Sequence, residues 1–325
     1  MNKIILGFTA AMGITMTGLM AQAQTSLTYL FPGPDFLPAF APFQLALGKG
    51  YYSEEGLDVT FRIGNGGADV ATQVAVGNAD LGGGMGDTSM IVRANGLEVR
   101  GVAVLGGQGL TQLVWRNDSG ITSIEEFAGH AIAVAGFQNT EFYNLRAALA
   151  VSGVNPDDVD IQSLGYGGIV QGMIAGSVSG MSGVPEWIVA IEDAGVELSV
   201  MPARDVFPAQ AQAIIASDAY IAENPDAVRG FVSATLRAIH DIIDDPHQAA
   251  IDYVGFVDRH AENVDQVERI MRMYAELVYL QDGDRPIGAF DQAQLQTVQD
   301  FYAENEVINA VVPIEDVYTN DFVPD

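Results

Sequence analysis

The side chains that could do covalent chemistry are few in this sequence. There is no cysteine, and the four histidines, His130, His240, His247 and His260, are scattered without the H-E-x-x-H spacing of a helical zinc site. No G-x-S-x-G turn presents a serine nucleophile, and no glycine loop ends in Gly-Lys-Ser/Thr to hold a nucleotide. The acidic neighbours Glu54-Glu55, Asp157-Asp158 and Asp244-Asp245 fall at turns or helix ends, where they read as solvated charge rather than as a catalytic acid and base. Neither a catalytic residue, a metal ligand nor a cofactor is implied.

What the sequence offers instead is recognition chemistry gathered at glycine turns. Four clusters follow apolar runs and precede helical patterns: Gly64-Asn65-Gly66-Gly67, Gly82-Gly83-Gly84-Met85-Gly86, Gly106-Gly107-Gln108-Gly109 and Gly165-Tyr166-Gly167-Gly168. Glycine there permits tight turns and close backbone approach, and open α/β sheets bind ligands beyond the carboxyl ends of their strands. Asp35 and Phe36, Asp69, then Asp87, Thr88 and Ser89 decorate the early turns. Phe137, Gln138, Asn139, Thr140 and Glu141 precede a later helix, and Gly183-Val184-Pro185-Glu186-Trp187 follows a later strand. Such a set supplies stacking faces, neutral hydrogen bonds and carboxylates, with few cations. Asp87 and Glu141 fit two roles equally, ligand contact or an acid favouring a helix N-terminus. Trp187 fits either core or platform.

The elements that must carry these turns alternate strand and helix, the mark of βα units and a mostly parallel sheet. Strands are expected over 27–31, 57–63, 79–82, 99–105, 112–115, 130–135, 160–164 and 179–182. Asn155-Pro156 and Asn224-Pro225 each read as a helix cap followed by proline in the first turn. Beyond about residue 216 strands give way to amphipathic helices. Val228, Phe231, Val232, Thr235, Leu236, Ile239, Ile242 and Ile243 repeat at three-four spacing and predict one buried face.

At the start, Lys3 precedes an apolar stretch that closes on Ala21-Gln22-Ala23, an A-x-A processing site, so 1–23 reads as a cleaved secretory signal. No cysteine is available for lipid attachment, and the expected product is soluble, periplasmic and monomeric. With 14 Lys and Arg against 42 Asp and Glu, a formal charge of -28, a nucleic-acid partner is excluded.

Three stretches carry a resemblance: Ala41-Pro42-Phe43-Gln44-Leu45-Ala46-Leu47-Gly48-Lys49-Gly50-Tyr51-Tyr52-Ser53-Glu54-Glu55-Gly56-Leu57-Asp58-Val59, then Val76-Gly77-Asn78-Ala79-Asp80-Leu81-Gly82, then Ile124-Glu125-Glu126-Phe127-Ala128-Gly129-His130-Ala131-Ile132-Ala133-Val134. In order, they resemble a class of periplasmic binding proteins that serve ABC importers for nitrate, alkanesulfonates and taurine. The class includes binders of the thiamine pyrimidine precursor and of riboflavin. The resemblance implies a type II two-lobed α/β fold, each lobe a mostly parallel sheet flanked by helices, with the helical C-terminal tail packed on the first lobe. Lobe 1 is expected over 24–108 and 216–325 and lobe 2 over 109–215, with crossings near 107–111 and 210–216. The family's contact loops map onto Asp35, Phe36, Gly66, Gly67, Asp87, Thr88, Asn139, Thr140, Glu186 and Trp187. The implied partners are a small-molecule ligand and an importer permease with its cytoplasmic ATPase. An anion binder would place Arg or Lys near helix N-termini. Here the nearest cations in sequence are Arg93 and Arg116, read as surface or rim residues, so the expected ligand is a neutral or cationic heteroaromatic such as an aminopyrimidine. A sulfonate, taurine or nitrate is the alternative, and an enzyme on the same fold is the rival class.

Overall fold

Among the described residues ten strands form two five-stranded sheets, and the chain passes from the first sheet to the second and back. The computed structural model describes residues 24–137, 139–281 and 283–324, so the signal expected over 1–23 lies outside the described residues. The first sheet has the order β2-β1-β3-β10-β4, from β1 (Thr25–Phe31), β2 (Leu57–Ile63), β3 (Leu81–Met85), β4 (Val99–Val104) and β10 (Gln212–Ser217). The second has the order β7-β6-β8-β5-β9, from β5 (Gln112–Arg116), β6 (Ala131–Val134), β7 (Asp160–Ser163), β8 (Gly180–Gly183) and β9 (Leu198–Pro202).

Each sheet is parallel except for one strand. β10 runs against β3 and β4, and β5 runs against β8 and β9. Both are strands that begin just after a crossing. A chain entering a lobe from the interlobe side must run away from that side, opposite to strands whose carboxyl ends point toward it. All eight strands expected from the sequence form, with ends shifted by a residue or a few. β9 and β10 were not expected, and the pairing of β10 begins at Gln212, inside the span 210–216. The glycines of 82–84, expected at a turn, lie inside β3. A Cβ on Gly82 would stand 2.4 Å from Val70 Cγ1, so only glycine lets the helix Gly67–Ala75 sit this close to the sheet.

The first core is aromatic. Tyr52 stacks on Phe231 at 4.8 Å, and Tyr29 meets Phe43 at 4.7 Å and Phe231 at 5.1 Å. Phe231 belongs to the helix Pro225–Asp244, which buries Val228, Val232, Thr235, Leu236, Ile239 and Ile242 as the spacing predicts. Asn155 caps its short helix by accepting from Asp157 N, whereas Asn224 makes no side-chain cap. The tail does pack on the first lobe: Ser89 Oγ donates to the Val317 carbonyl at 2.8 Å, and Thr319 N donates to the Gly101 carbonyl of β4 at 2.9 Å. It also reaches the second lobe. The helix Val264–Tyr274 meets the helix Pro185–Asp193, with Gln266 Nε2 donating to Asp193 Oδ2 at 2.8 Å and Arg269 paired with Asp193 and Glu192. At the first crossing, Gln108 N donates to the carbonyl of Val278 in the π turn Ala275–Tyr279 at 3.1 Å.

Candidate ligand site

Segments after the strands of both sheets converge on one cleft. From the first lobe come Pro32 after β1, Leu37, Ala39 and Phe40 in the turn that follows, Gly67 after β2, and Gly84 and Met85 at the end of β3. From the second come Asn139 and Glu141 after β6, Tyr166 after β7, and Val184, Glu186 and Trp187 after β8. Leu110 on the first crossing and Gln212, the first residue of β10, close the back. A cavity of about 70 Å³ remains at the centre, several times the ~10–15 Å³ that admits one water.

The lining has aromatic walls and two buried acids. Trp187 is 4% exposed and meets Tyr166 edge to face, with ring centroids 6.0 Å apart. Glu186 lies in the first turn of its helix, where burial pushes its carboxyl up to about 7 against the pull of the Tyr274 hydroxyl and of the backbone N–H groups of Glu186 and Ala39. Tyr274 Oη donates to Glu186 Oε2 at 2.7 Å, while Oε1 is buried without a partner. Glu141 is likewise pushed up to about 7 by burial, opposed by the backbone N–H groups of Ala135 and Gly136. Its hydrogen bond to Ala135 N ties the helix Thr140–Val151 to the end of β6. Among the described residues, no lysine, arginine or histidine lines the cleft. A buried carboxylate without a cation is costly, so burial favours the protonated form of both acids, and of the two it is Glu186 that keeps an oxygen without a partner.

Four of the ten expected contact residues, Gly67, Asn139, Glu186 and Trp187, line the cleft. Gly66 lies under Asn139 at its lip. Thr88 backs the floor, its Oγ1 accepting from Met85 N at 2.9 Å. Asp87 sits away from the lining, fully buried and pushed up to about 6 by desolvation, accepting from Tyr302 Oη at 2.7 Å. Tyr302 Oη also lies 3.0 Å from Asn144 Oδ1 of the second lobe. One hydroxyl hydrogen cannot serve both acceptors. Either Asp87 is protonated or the Asn144 amide is turned to donate. Asp35 and Phe36 do not reach the lining. The Phe36 ring lies under the Arg259 guanidinium at 4.2 Å, and its carbonyl accepts from Tyr253 Oη and bonds His260 Nε2. Asp35 contributes its carbonyl to Gln44. Phe40 and Tyr166, rather than Phe36, are the phenyl rings that line the cleft. Thr140 opens its helix, and its side chain lies outside the described part. Arg93 and Arg116 are held away in ion pairs with Asp218 and Asp118.

Tyr166, Phe40, Met85 and Gln212 were not among the expected contacts. Tyr166 had a signal, standing inside a glycine cluster after a predicted strand. Gln212 had none, because β10 was not expected.

The geometry agrees with known proteins. Among solved structures of similar fold are the alkanesulfonate-binding protein SsuA of Xanthomonas axonopodis bound to MOPS (TM-score 0.71, 16% identity, covering 92% of this chain and 99% of that one) and the periplasmic nitrate-binding protein NrtA of Synechocystis (TM-score 0.68, 12% identity, 92% and 87%). In sequence, the chain is 27% identical to the riboflavin-binding protein RibY of Chloroflexus aurantiacus over 313 residues, 93% of this chain and 88% of that protein. It is 25% identical over 234 residues to the 4-amino-5-hydroxymethyl-2-methylpyrimidine phosphate synthase of Schizosaccharomyces pombe, 67% of this chain and 66% of the synthase. The family model described as NMT1/THI5 like matches residues 37–249, more than half of the sequence, and with the two-lobed fold and interlobe cleft this chain belongs to the NMT1/THI5-like family.

Proposed function

We propose that this protein is an extracytoplasmic solute-binding protein of an ABC importer, trapping a flat, nitrogen-bearing ring between its lobes and presenting it to the permease. The observation that carries the ligand class is Glu186: a buried carboxyl with one unpartnered oxygen, beside Trp187, in a cleft lined by no cation among the described residues. A ring N–H or exocyclic amine satisfies that oxygen, and a protonated ring also neutralises it. An anion of the sulfonate kind meets two acids there and finds no counter-charge. A riboflavin binder and pyrimidine synthases among the relatives fit the same chemistry, since both names concern planar nitrogen heterocycles.

Lobe 1 is assigned to 24–104 with 212–324 and lobe 2 to 112–202, joined by segments that act as the hinge. Closure is driven by a ligand that touches both lobes, because only differential contact shifts the open-closed balance. Binding without turnover is supported by the lining, which among the described residues pairs no nucleophile with a base. The test is mass spectrometry of small molecules released from the purified protein, with calorimetry against riboflavin, 4-amino-5-hydroxymethyl-2-methylpyrimidine and taurine. Binding of either heterocycle with taurine inert is expected. Tight taurine binding overturns the ligand class, and turnover of a heterocycle overturns the transport reading.

A further inference from the structure

Tyr166 lines the cleft and also reaches across to the first lobe. Its hydroxyl donates to the Pro32 carbonyl of the first lobe at 3.3 Å, and its ring covers Gly33, where a Cβ would stand 3.1 Å from Cζ and 3.2 Å from the hydroxyl oxygen. A second seat lies alongside. Asn139, also from the second lobe, rests on Gly66, where a Cβ would come within 2.6 Å of its Oδ1, and its side chain hydrogen-bonds Tyr166. Gly33 and Gly66 are both buried in this arrangement. On its inner side the Tyr166 ring meets Trp187.

We propose that Tyr166 is the gate that sets how long a ligand stays, seating on Gly33 only when the lobes are shut and walling the ligand with Trp187. This rests on the cleft being the ligand site. The seat works because Gly33 has no side chain, so the ring can descend onto the backbone of the opposite lobe. The consequence is kinetic. A residue that only contacts ligand slows exit, whereas a gate slows both entry and exit, and its removal accelerates both.

The experiment compares Tyr166→Ala, Tyr166→Phe, Gly33→Val and the double variant Gly33→Val with Tyr166→Ala. Stopped-flow riboflavin fluorescence gives entry and exit rates, and acrylamide quenching of tryptophan is read without ligand. Tyr166→Ala is expected to speed exit at least tenfold and to speed entry as well, while Tyr166→Phe, which keeps the ring but loses the hydrogen bond to the Pro32 carbonyl, is expected to give a smaller rise in both rates. Gly33→Val alone leaves the ring no seat and speeds exit to a similar degree. The double variant is no worse than either single change, because valine fills the space the ring vacates. Without ligand, Tyr166→Ala and Gly33→Val raise quenching, since opening exposes Trp187, whereas Trp115 stays packed edge-on against Phe127. Additive losses in the double variant, or faster exit with unchanged entry, overturn the gate. If riboflavin does not bind the parent protein, the quenching arm decides alone: greater access in both single variants supports the gate, and unchanged access removes it.

Discussion

Replacing Glu186 by glutamine tests how the cleft handles its buried acid. The folded protein holds this carboxyl near 7, against an ordinary value of 4.5, with burial as the cause. Because the folded value is raised, the stability associated with the neutral acid is complete below the unfolded value and is lost as pH rises through the folded one. At 1.36 kcal/mol per unit, the difference removes about 3 kcal/mol from the empty protein by pH 8.5 and less than about 1 kcal/mol at pH 5. Glutamine is neutral at every pH, keeps an oxygen to accept from Tyr274 and leaves the side-chain volume almost unchanged. Glu186→Gln should therefore stabilise the ligand-free protein at pH 8.5 and do little at pH 5. Unfolding entropy scales at roughly 2.1 cal/mol/K per residue, so for about 300 ordered residues the gain appears as a rise in Tm of roughly 5 °C. Differential scanning calorimetry at the two pH values is the assay. An equal shift at both, or a loss of stability at pH 8.5, refutes a neutral buried Glu186, because it would show that the carboxylate is already satisfied without an occupant.

Trp187→Ala should weaken binding of riboflavin or of the aminopyrimidine more than tenfold, above roughly 1.4 kcal/mol by titration calorimetry, and unchanged affinity in a folded variant removes Trp187 from the site. Phe36→Ala should alter affinity less than twofold while lowering Tm, since its ring contacts Arg259 rather than the cavity; a large affinity loss with little change in Tm contradicts that placement. With a formal charge of -28, the protein should gain Tm as KCl rises from about 0.05 to about 1 M, because screening relieves self-repulsion over a Debye length that falls to about 3 Å. A flat or falling Tm in that range shows that paired charges such as Lys49 with Asp241 and Arg93 with Asp218 outweigh the repulsion.

The sequence by itself determined the alternation of strands and helices, the poverty of catalytic groups and the family block around Lys49 to Val59. These are local properties: a run of β-branched and apolar residues declares a strand, and a three-four pattern such as Val228 to Ile242 declares a helix face, whatever surrounds it. It also set polar and aromatic residues on the turns after the strands, since chain order alone places Asn139, Tyr166 and Trp187 after apolar runs. Only the tertiary structure decided which of these side chains face the cavity. Phe36 is turned toward Arg259, Tyr253 and His260, more than two hundred residues away in the chain, and Phe40 takes the cavity side in its place. The burial of Asp87 under Tyr302 is likewise set by a helix that arrives from the C-terminal tail. β9 and β10 stayed hidden for the same reason: a short run such as Gln212–Ser217 has little local signature, and it becomes a central strand because β3 and β4 offer it two edges.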